Sequence, residues 1–349
     1  MASWRLDLTA VLAGVRAAGG DAAVVGTSTG TAFARSGTAP SDIVVTALGG
    51  PGISVRTAAS TDADADRRGT EVAAAALRPD KEHVVLLLLG SGTDGRLQDV
   101  VQRAYTALGP GVPLVGGGSD GDIDGARTWQ FHGDDVLQDG LVGAAISSDR
   151  PLGVGCAHGL ARVGLPLVVT SSDGTLVHSL DGRPALDVYL ERLRAAGALP
   201  PGPADPDLAT LLAAGAPHPL GLSRRRADVA RTLWSADLAA RTLTFVSPLP
   251  QGSAVHVMSG DHDAMLAGAQ AACTQAVDGL AGAPAQGMVV FSCVARRGLL
   301  GDGRRREEVA AARTATGGED VALTFSVGEV ARVSGAAGCH NQTVVALAV

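Results

Sequence analysis

One aliphatic run limits the choice of fold more than any other feature: Val84-Val85-Leu86-Leu87-Leu88-Leu89, closed by Gly90-Ser91-Gly92-Thr93-Asp94-Gly95. A strand apolar at every position is covered on both faces, which is the habit of strands in helix-flanked parallel sheets. Leu97, Val100, Val101, Ala104 and Leu108 then recur at helical spacing, and Pro113-Leu114-Val115 enters a second buried strand. Strand, helix and strand in that order make a βαβ unit. The run is far too short to cross a bilayer, so no membrane role is expected.

The second half of this unit has a forerunner about ninety residues upstream. Leu8, Val11, Leu12 and Val15 mark a helix, and Ala22-Ala23-Val24-Val25 runs into Gly26-Thr27-Ser28-Thr29-Gly30, as Pro113-Leu114-Val115 runs into Gly116-Gly117-Gly118-Ser119. Both glycine clusters read as turns at the carboxyl ends of parallel strands, where open α/β sheets bind ligands, which makes Gly26, Thr27, Ser28, Gly116 and Gly117 a candidate crevice. The first copy shows no leading strand, so the repeat predicts a chain that begins one strand late. Ile43 to Leu48, Thr128 to Phe131 and Leu141 to Ile146 read as strands that extend the core.

Beyond residue 150 the pattern changes. Pro166 to Leu180 reads as a hairpin turning at Asp173-Gly174, Pro184 opens a helix over Ala185 to Ala195, and Pro200 to Pro206 is a loop. The segment from there to about Ser247 carries little pattern. Asp263 to Leu280 and Arg305 to Thr314 read as helices, and Met288 to Phe291, Val321 to Ser326 and Thr343 to Val349 as strands. The expected fold class is α/β and α+β: an N-terminal mixed sheet with duplicated strand–helix–strand units over residues 1–179, then a C-terminal α+β domain with a mostly antiparallel sheet over 180–349.

Composition narrows the function. The 349 residues are 46% apolar, with 47 glycines and only 3% aromatics, so two cores built from Val, Leu and Ala are affordable and base stacking is not a mode of action. A net charge of −7, with basic clusters only at Arg224-Arg225-Arg226 and Arg304-Arg305-Arg306, argues against nucleic acid as a partner. Cys156, Cys273, Cys293 and Cys339 lie far apart, and Arg5, Asp7 and Arg16 interrupt any leader-like segment, so a reducing cytoplasm is the expected location.

Three constellations could carry chemistry. Asp120, Asp122, Asp124 and Gly125 match the first half of a calcium loop, yet the position that should hold a bidentate carboxylate is Phe131. A looser calcium or magnesium site using Asp134 or Asp135 ranks behind a glycine-rich turn with solvated carboxylates, and no metal is expected. Gly90 to Gly95 sits between a strand and a helix, where free N–H groups could receive an anion, but no phosphate-binding lysine accompanies it. Cys293 ends a strand, with Arg296, Glu307-Glu308, Glu329 and Cys339-His340-Asn341-Gln342-Thr343 downstream. Cys293 and His340 could serve a thiol hydrolase, and His158, His262 or His340 with a thiolate could hold haem, although no C-x-x-C-H spacing occurs. The competing reading makes Cys293 a small buried hydrophobe and pairs Arg296 with a glutamate.

Taken together, Val24 to Gly30, Pro113 to Gly117, Leu180-Asp181-Gly182-Arg183-Pro184-Ala185-Leu186-Asp187-Val188-Tyr189, Phe291 to Arg296, Gly328-Glu329 and His340 to Thr343 resemble the FIST family of two-part sensory modules. The resemblance implies an intracellular sensor, not an enzyme, of small ligands such as amino acids. Family members are often joined to kinase or cyclic-dinucleotide output domains, and some are connected with haem and nitric oxide. No output domain is recognised within this sequence, so the signal is expected to pass to a separate partner such as a histidine kinase or a cyclic-dinucleotide enzyme. Thr324-Phe325-Ser326-Val327 departs from the aromatic-rich segment usual before Gly-Glu. The expected ligand site is Cys293, Arg296, Glu329, His340, Asn341 and Thr343, with no resident cofactor and haem as the alternative. An Arg opposite a Glu would suit a zwitterion.

Overall fold

The computed structural model describes residues 1–34, 39–76, 79–93, 95–121, 127–224, 228–318, 320–332 and 338–349. The aliphatic run lies in the strand His83–Ser91, parallel to Leu114–Ser119 with Leu86 opposite Leu114, and the helix Leu97–Leu108 makes the crossover. Leu86 and Leu88 pack outward against Leu97, Val100, Val101 and Ala104, while Val85 and Leu89 face inward with Val115 and Ile146. Both faces are therefore buried, which is why no polar residue interrupts the run. Leu141–Ser148 joins antiparallel to His83–Ser91, and Ile53–Ser60 joins beyond it.

The strand expected over Ile43 to Leu48 is instead Ile53–Ser60. Within 43–48 only an isolated bridge from Ile43 to Ala2 forms, and Ile43 and Val45 stand exposed at 44% and 63%. The edge it meets, Ala2–Ser3, is only two residues long, so pairing stops at one bridge whatever the local propensity. The missing leading strand is also corrected. Ala2–Ser3 pairs parallel with Val25–Thr29, so the helix Leu8–Gly19 closes a βαβ unit like that of the second copy. A third such unit joins Gly287–Cys293, the helix Val294–Ala315 and Asp320–Ser326; the helix expected over 305–314 is its second part, beyond a kink at Gly301.

Neither glycine cluster is a turn. Val25–Thr29 contains Gly26, and Leu114–Ser119 contains Gly116, Gly117 and Gly118. A Cβ on Gly116 would stand 1.9 Å from the Leu88 carbonyl oxygen, and Gly116 itself has φ 143°. A Cβ on Gly118 would stand 2.1 Å from the Val327 carbonyl oxygen. Gly118 exchanges backbone hydrogen bonds with Gly328 and Val327 at 2.8 and 2.9 Å, so this strand is glycine-rich because another backbone crosses it at contact distance.

Four sheets result. A six-stranded sheet runs Cys339–His340, Glu329–Arg332, Leu114–Ser119, His83–Ser91, Leu141–Ser148, Ile53–Ser60. A five-stranded sheet runs Gly153–Ala157, Val344–Ala348, Gly287–Cys293, Asp320–Ser326, Ala32–Phe33. Val85, Leu89, Val115, Ile146 and Ala331 of the first meet Phe291, Val345 and Leu347 of the second, so the two sheets pack face to face. The helices Ala65–Ala73 and Leu97–Leu108 cover one outer face. The helix His262–Asp278 and Val294–Ala315 cover the other, making an α/β/β/α stack. Both sheets combine strands from either side of the boundary drawn at residue 179.

A four-stranded sheet of Ala2–Ser3, Val25–Thr29, Trp129–His132 and Asp135–Gln138 flanks this stack. The middle of the chain stands apart. All eight strands of the remaining sheet fall between Ala161 and Ser259, pair antiparallel, and wrap the helices Ala185–Ala195 and Leu208–Gly215 around Tyr189, Leu186, Leu193 and Phe245. The sequence thus has mixed sheets in its N-terminal half and a mostly antiparallel sheet in its C-terminal half, as expected. Asp181 and Gly182, at φ 49° and 75°, form the tight turn between Leu176–Leu180 and Arg183–Pro184. Pro184 caps the following helix rather than opening it. Among the described residues no helix is long and apolar enough to cross a membrane.

The close crossing gives a test. Gly118→Ala should lower unfolding stability by about 2 kcal/mol or more, or leave the protein insoluble, because a backbone oxygen cannot move away as a flexible side chain can. Gly111→Ala, whose Cβ meets nothing within 4 Å, should stay within roughly 0.5 kcal/mol in urea denaturation.

Candidate functional site at the end of the inter-sheet layer

The strand Gly287–Cys293 ends at Cys293, which caps the helix Val294–Ala315, and Arg296 lies in that helix's first turn. Glu329 begins the strand Glu329–Arg332 and stands directly opposite His340 on one side and Gly117 on the other. Asn341 and Thr343 lead into Val344–Ala348. The structure therefore brings the six expected residues to one end of the layer between the two large sheets, where all are buried.

Arg296 does not face Glu329 across an open space. Its Nε and Nη2 donate to Glu308 Oε1 at 2.8 and 2.5 Å, Nη1 to the His158 carbonyl at 3.0 Å, and Nη2 also to the Met265 carbonyl at 2.8 Å. Ser292 Oγ donates to the other Glu308 oxygen at 2.8 Å. The guanidinium and its carboxylate are 0% and 1% exposed, a buried ion pair whose remaining polar atoms are satisfied. The zwitterion grip assigned to Arg296 thus meets a guanidinium already held by Glu308, and two of its carbonyl acceptors tie the helix to His158 and to the helix His262–Asp278.

Glu329 has a different environment. One carboxyl oxygen accepts from Ser326 Oγ at 3.0 Å and the other from the Thr343 N–H at 3.4 Å. Burial pushes its carboxyl up to about 8, overcoming the hydrogen bonds from Ser326, Thr343 and Cys293 and the more distant charge of Arg296. The Cys293 thiol is raised in turn, first by burial and then by Glu329. Cys293 therefore pairs with Glu329, not with His340. The His340 ring donates from Nε2 to the Ala331 carbonyl at 3.0 Å, which leaves Nδ1 facing Cys156 Sγ at 3.8 Å. Cys156 was only counted in the sequence; its thiol is raised to about 12 by burial and then by Glu329. Nothing in its spacing pointed here, because strand pairing alone brings residues 156 and 340 together.

Asn341 and Thr343 hold the backbone. Asn341 Nδ2 donates to the His340 carbonyl at 2.9 Å and its Oδ1 accepts from the Thr232 N–H at 3.4 Å. Thr343 Oγ1 donates to the Asn341 carbonyl at 2.8 Å. His158 and His262, weighed as haem ligands, each place Nε2 against a backbone carbonyl, of Asp228 at 3.1 Å and Leu299 at 3.0 Å.

The second expected crevice is a buried polar seam. Thr27 Oγ1 meets Ser119 Oγ at 2.6 Å, Gln130 Nε2 donates to Ser119 Oγ at 2.7 Å, and Ser28 Oγ donates to the Asp120 carbonyl at 2.7 Å. Gly26, Gly116 and Gly117 are buried beside it. Asp120 is not a solvated carboxylate: it is 6% exposed, accepts from the Gly30 N–H at 3.1 Å and faces Arg297 at 3.5 Å. Asp122, Asp124 and Gly125 lie outside the described residues, as do Asp94 and the arginines 225 and 226. Asp134 is exposed and pairs with Arg16. Two surface clefts of about 380 and 370 Å3 lie elsewhere, one rimmed by Arg183, Asp187, Glu191, Asp205 and Arg241, the other by Val309, Arg313 and Gly317. The first is filled with mutually paired surface charges, so the buried junction, not the concave surface, concentrates the unusual chemistry.

Breaking the buried pair should be costly. Arg296→Met is expected to lose about 3–5 kcal/mol in denaturant unfolding by stranding the Glu308 carboxylate, and Arg296→Met with Glu308→Leu should recover most of it. A loss under about 1 kcal/mol in the single variant would mean that the ion pair is not the tie described.

Comparison with known proteins agrees with this architecture. The FIST N domain matches residues 1–183 and the FIST C domain residues 185–332. An uncharacterized protein of Mycobacterium bovis is 36% identical over 95 residues, 27% of this chain and 23% of that protein. An uncharacterized Mycobacterium tuberculosis protein is 26% identical over 250 residues, 70% and 62% of the two chains. An uncharacterized protein of Methanocaldococcus jannaschii is 31% identical over 114 residues, 31% and 20%. The chain thus spans less than two thirds of the length of each of these relatives. With both domain models matched in order over nearly all of its length, the chain belongs to the FIST family.

Proposed function

We propose that this chain is a sensory module that recognises a small amine-bearing ligand of the amino-acid class at the end of the inter-sheet layer and passes the signal to a separate partner, such as a histidine kinase or a cyclic-dinucleotide enzyme. FIST domains are associated with sensory signal transduction, which supplies the class of function. The observation that carries the ligand reading is Glu329. Its carboxyl is 0% exposed, and among the described residues it makes no ion pair. An ammonium group would supply the missing countercharge. Arg296 is committed to Glu308, so the ligand's amine, not its carboxylate, is the feature recognised.

Glu329 also sits on the strand by which the second half of the sequence pairs with Leu114–Ser119 of the first. A guest that parts this strand from Leu114–Ser119 loosens the six-stranded sheet where the two halves of the sequence meet, which is what a module that must report binding to a partner requires. The haem and thiol-hydrolase readings gain less support: His158, His262 and His340 each engage a backbone carbonyl, and the thiol beside His340 belongs to Cys156.

A thermal-shift screen with amino acids, simple amines, organic acids and nucleotides tests the reading. An amine-bearing compound near a hundred times its Kd should raise Tm by a few degrees, through about 2.7 kcal/mol of mass-action stabilisation. The shift should vanish in Glu329→Gln and persist in Arg183→Ala at the distant charged cleft. No shift with any amine, or an equal shift in Glu329→Gln, overturns the assignment.

A further inference from the structure

The strand Glu329–Arg332 is held on one side by Leu114–Ser119 and on the other by Cys339–His340. Its first residue places a carboxyl in the layer between two sheets. The groups around it come from every neighbouring element: the Cys293 thiol at the end of Gly287–Cys293, the Arg296 guanidinium in the helix beyond, the Ser326 hydroxyl, the Thr343 N–H, Cys156 on Gly153–Ala157, and His340 on the adjoining strand, with the Cys339 thiol across the sheet beside Val330. Arg296 is the permanent cation among them, and it is bonded to Glu308. Three thiols raised well above their ordinary range offer no countercharge. A neutral carboxyl fits this setting; a carboxylate does not.

No slack exists to let the charge escape. Gly117, opposite Glu329, is packed so closely that a Cβ there would lie 2.8 Å from Ser326 Cβ and 3.2 Å from Phe291. Ionisation therefore requires the strand to move or water to enter. We propose that the proton on Glu329 is a latch for the junction of the two sequence halves, so that Glu329–Arg332 separates from Leu114–Ser119 as the pH rises and the module responds to protons as an input of its own. This response needs no organic ligand and stands whether or not an amine binds.

The direction follows from linkage. The folded junction holds a proton that the freed strand, with an ordinary carboxyl near 4.5, releases; the two values cited are 4.5 and about 8. The closed state is therefore fully stabilised below about pH 4.5, loses stability as the pH rises toward 8, and loses no more above it. For one proton the opening equilibrium grows up to about tenfold per pH unit within that window.

Amide hydrogen exchange on the ligand-free protein between pH 5 and 9, corrected for intrinsic rates, measures the opening. In the wild type, amides of Glu329–Arg332 and Leu114–Ser119 should open by up to roughly tenfold more per pH unit between about 5 and 8, then level off, while amides of the Ala161–Ser259 sheet do not follow. Glu329→Gln should remove the pH slope. Ser326→Ala, which takes away a hydrogen bond that favours the carboxylate, should move the levelling-off to higher pH. Should Glu329→Gln fail to fold, carbon-13 NMR of the wild-type glutamate carboxyls decides, with a Glu329 resonance titrating near 8 as the expected result. An equal pH slope in Glu329→Gln, or a Glu329 carboxyl titrating at its ordinary value, overturns the proposal.

Discussion

The hydrogen-bonded pairing of Glu329–Arg332 with Leu114–Ser119 is the interaction on which the rest of the structure depends. It sets a strand from the end of the chain beside one from the first third, so the six-stranded sheet cannot be completed by a single sequence half. The five-stranded sheet repeats the arrangement, since Gly153–Ala157 pairs with Val344–Ala348 and Ala32–Phe33 with Asp320–Ser326. Long-range pairings of this kind carry a loop-closure entropy that only extensive burial offsets. The inter-sheet core of Val85, Leu89, Val115, Ile146, Phe291 and Val345 provides that burial.

The same pairing explains why the polar cluster lies where it does. At one end of the inter-sheet layer the apolar residues give way to Ser326, Glu329, His340 and Thr343, and the helix beginning at Cys293 brings Arg296 beneath them. Arg296 and Glu308 satisfy one another and pull His158 and Met265 into place, acting as a tie between strand, loop and helix. Glu329 has hydrogen bonds but no ion pair among the described residues, which makes it the group whose state a ligand or a proton can change. Stability and responsiveness thus fall on two buried carboxyl groups with opposite surroundings.

Much of this was legible in the sequence where periodicity carried it. The Val84–Leu89 run gave a strand buried on both faces, the spacing of Leu97, Val100, Val101 and Ala104 gave its crossover helix, and the site residues were recognised as a group. What failed depended on contacts distant in sequence. Gly116-Gly117-Gly118 reads locally as a turn, and only the passage of Val327 and Gly328 across it shows why a strand needs three glycines. Ala2–Ser3 is too short to signal a strand until Val25–Thr29 is seen beside it. The partner of Arg296 could have been Glu308 or Glu329, and the kink at Gly301, without which a residue twelve positions on would stand about 18 Å away, decided for Glu308. Cys156 has no local mark at all. Of the middle sheet only the hairpin turning at Asp173-Gly174 was legible; the strands from Leu220 to Ser259 are brief, and several pairings in the sheet are register-shifted.

The central claim is that the two family-matched halves are one interlocked folding unit rather than two abutting domains. The most direct measurement is the thermal unfolding and amide NMR spectrum of residues 1–183 produced alone. This piece would lack Gly287–Cys293, Asp320–Ser326, Glu329–Arg332 and Val344–Ala348, leaving Leu114–Ser119 and Gly153–Ala157 as bare apolar edges. The expected result is an aggregating or molten fragment with no cooperative transition and poorly dispersed amides. A soluble fragment that melts cooperatively with a dispersed spectrum would contradict the claim.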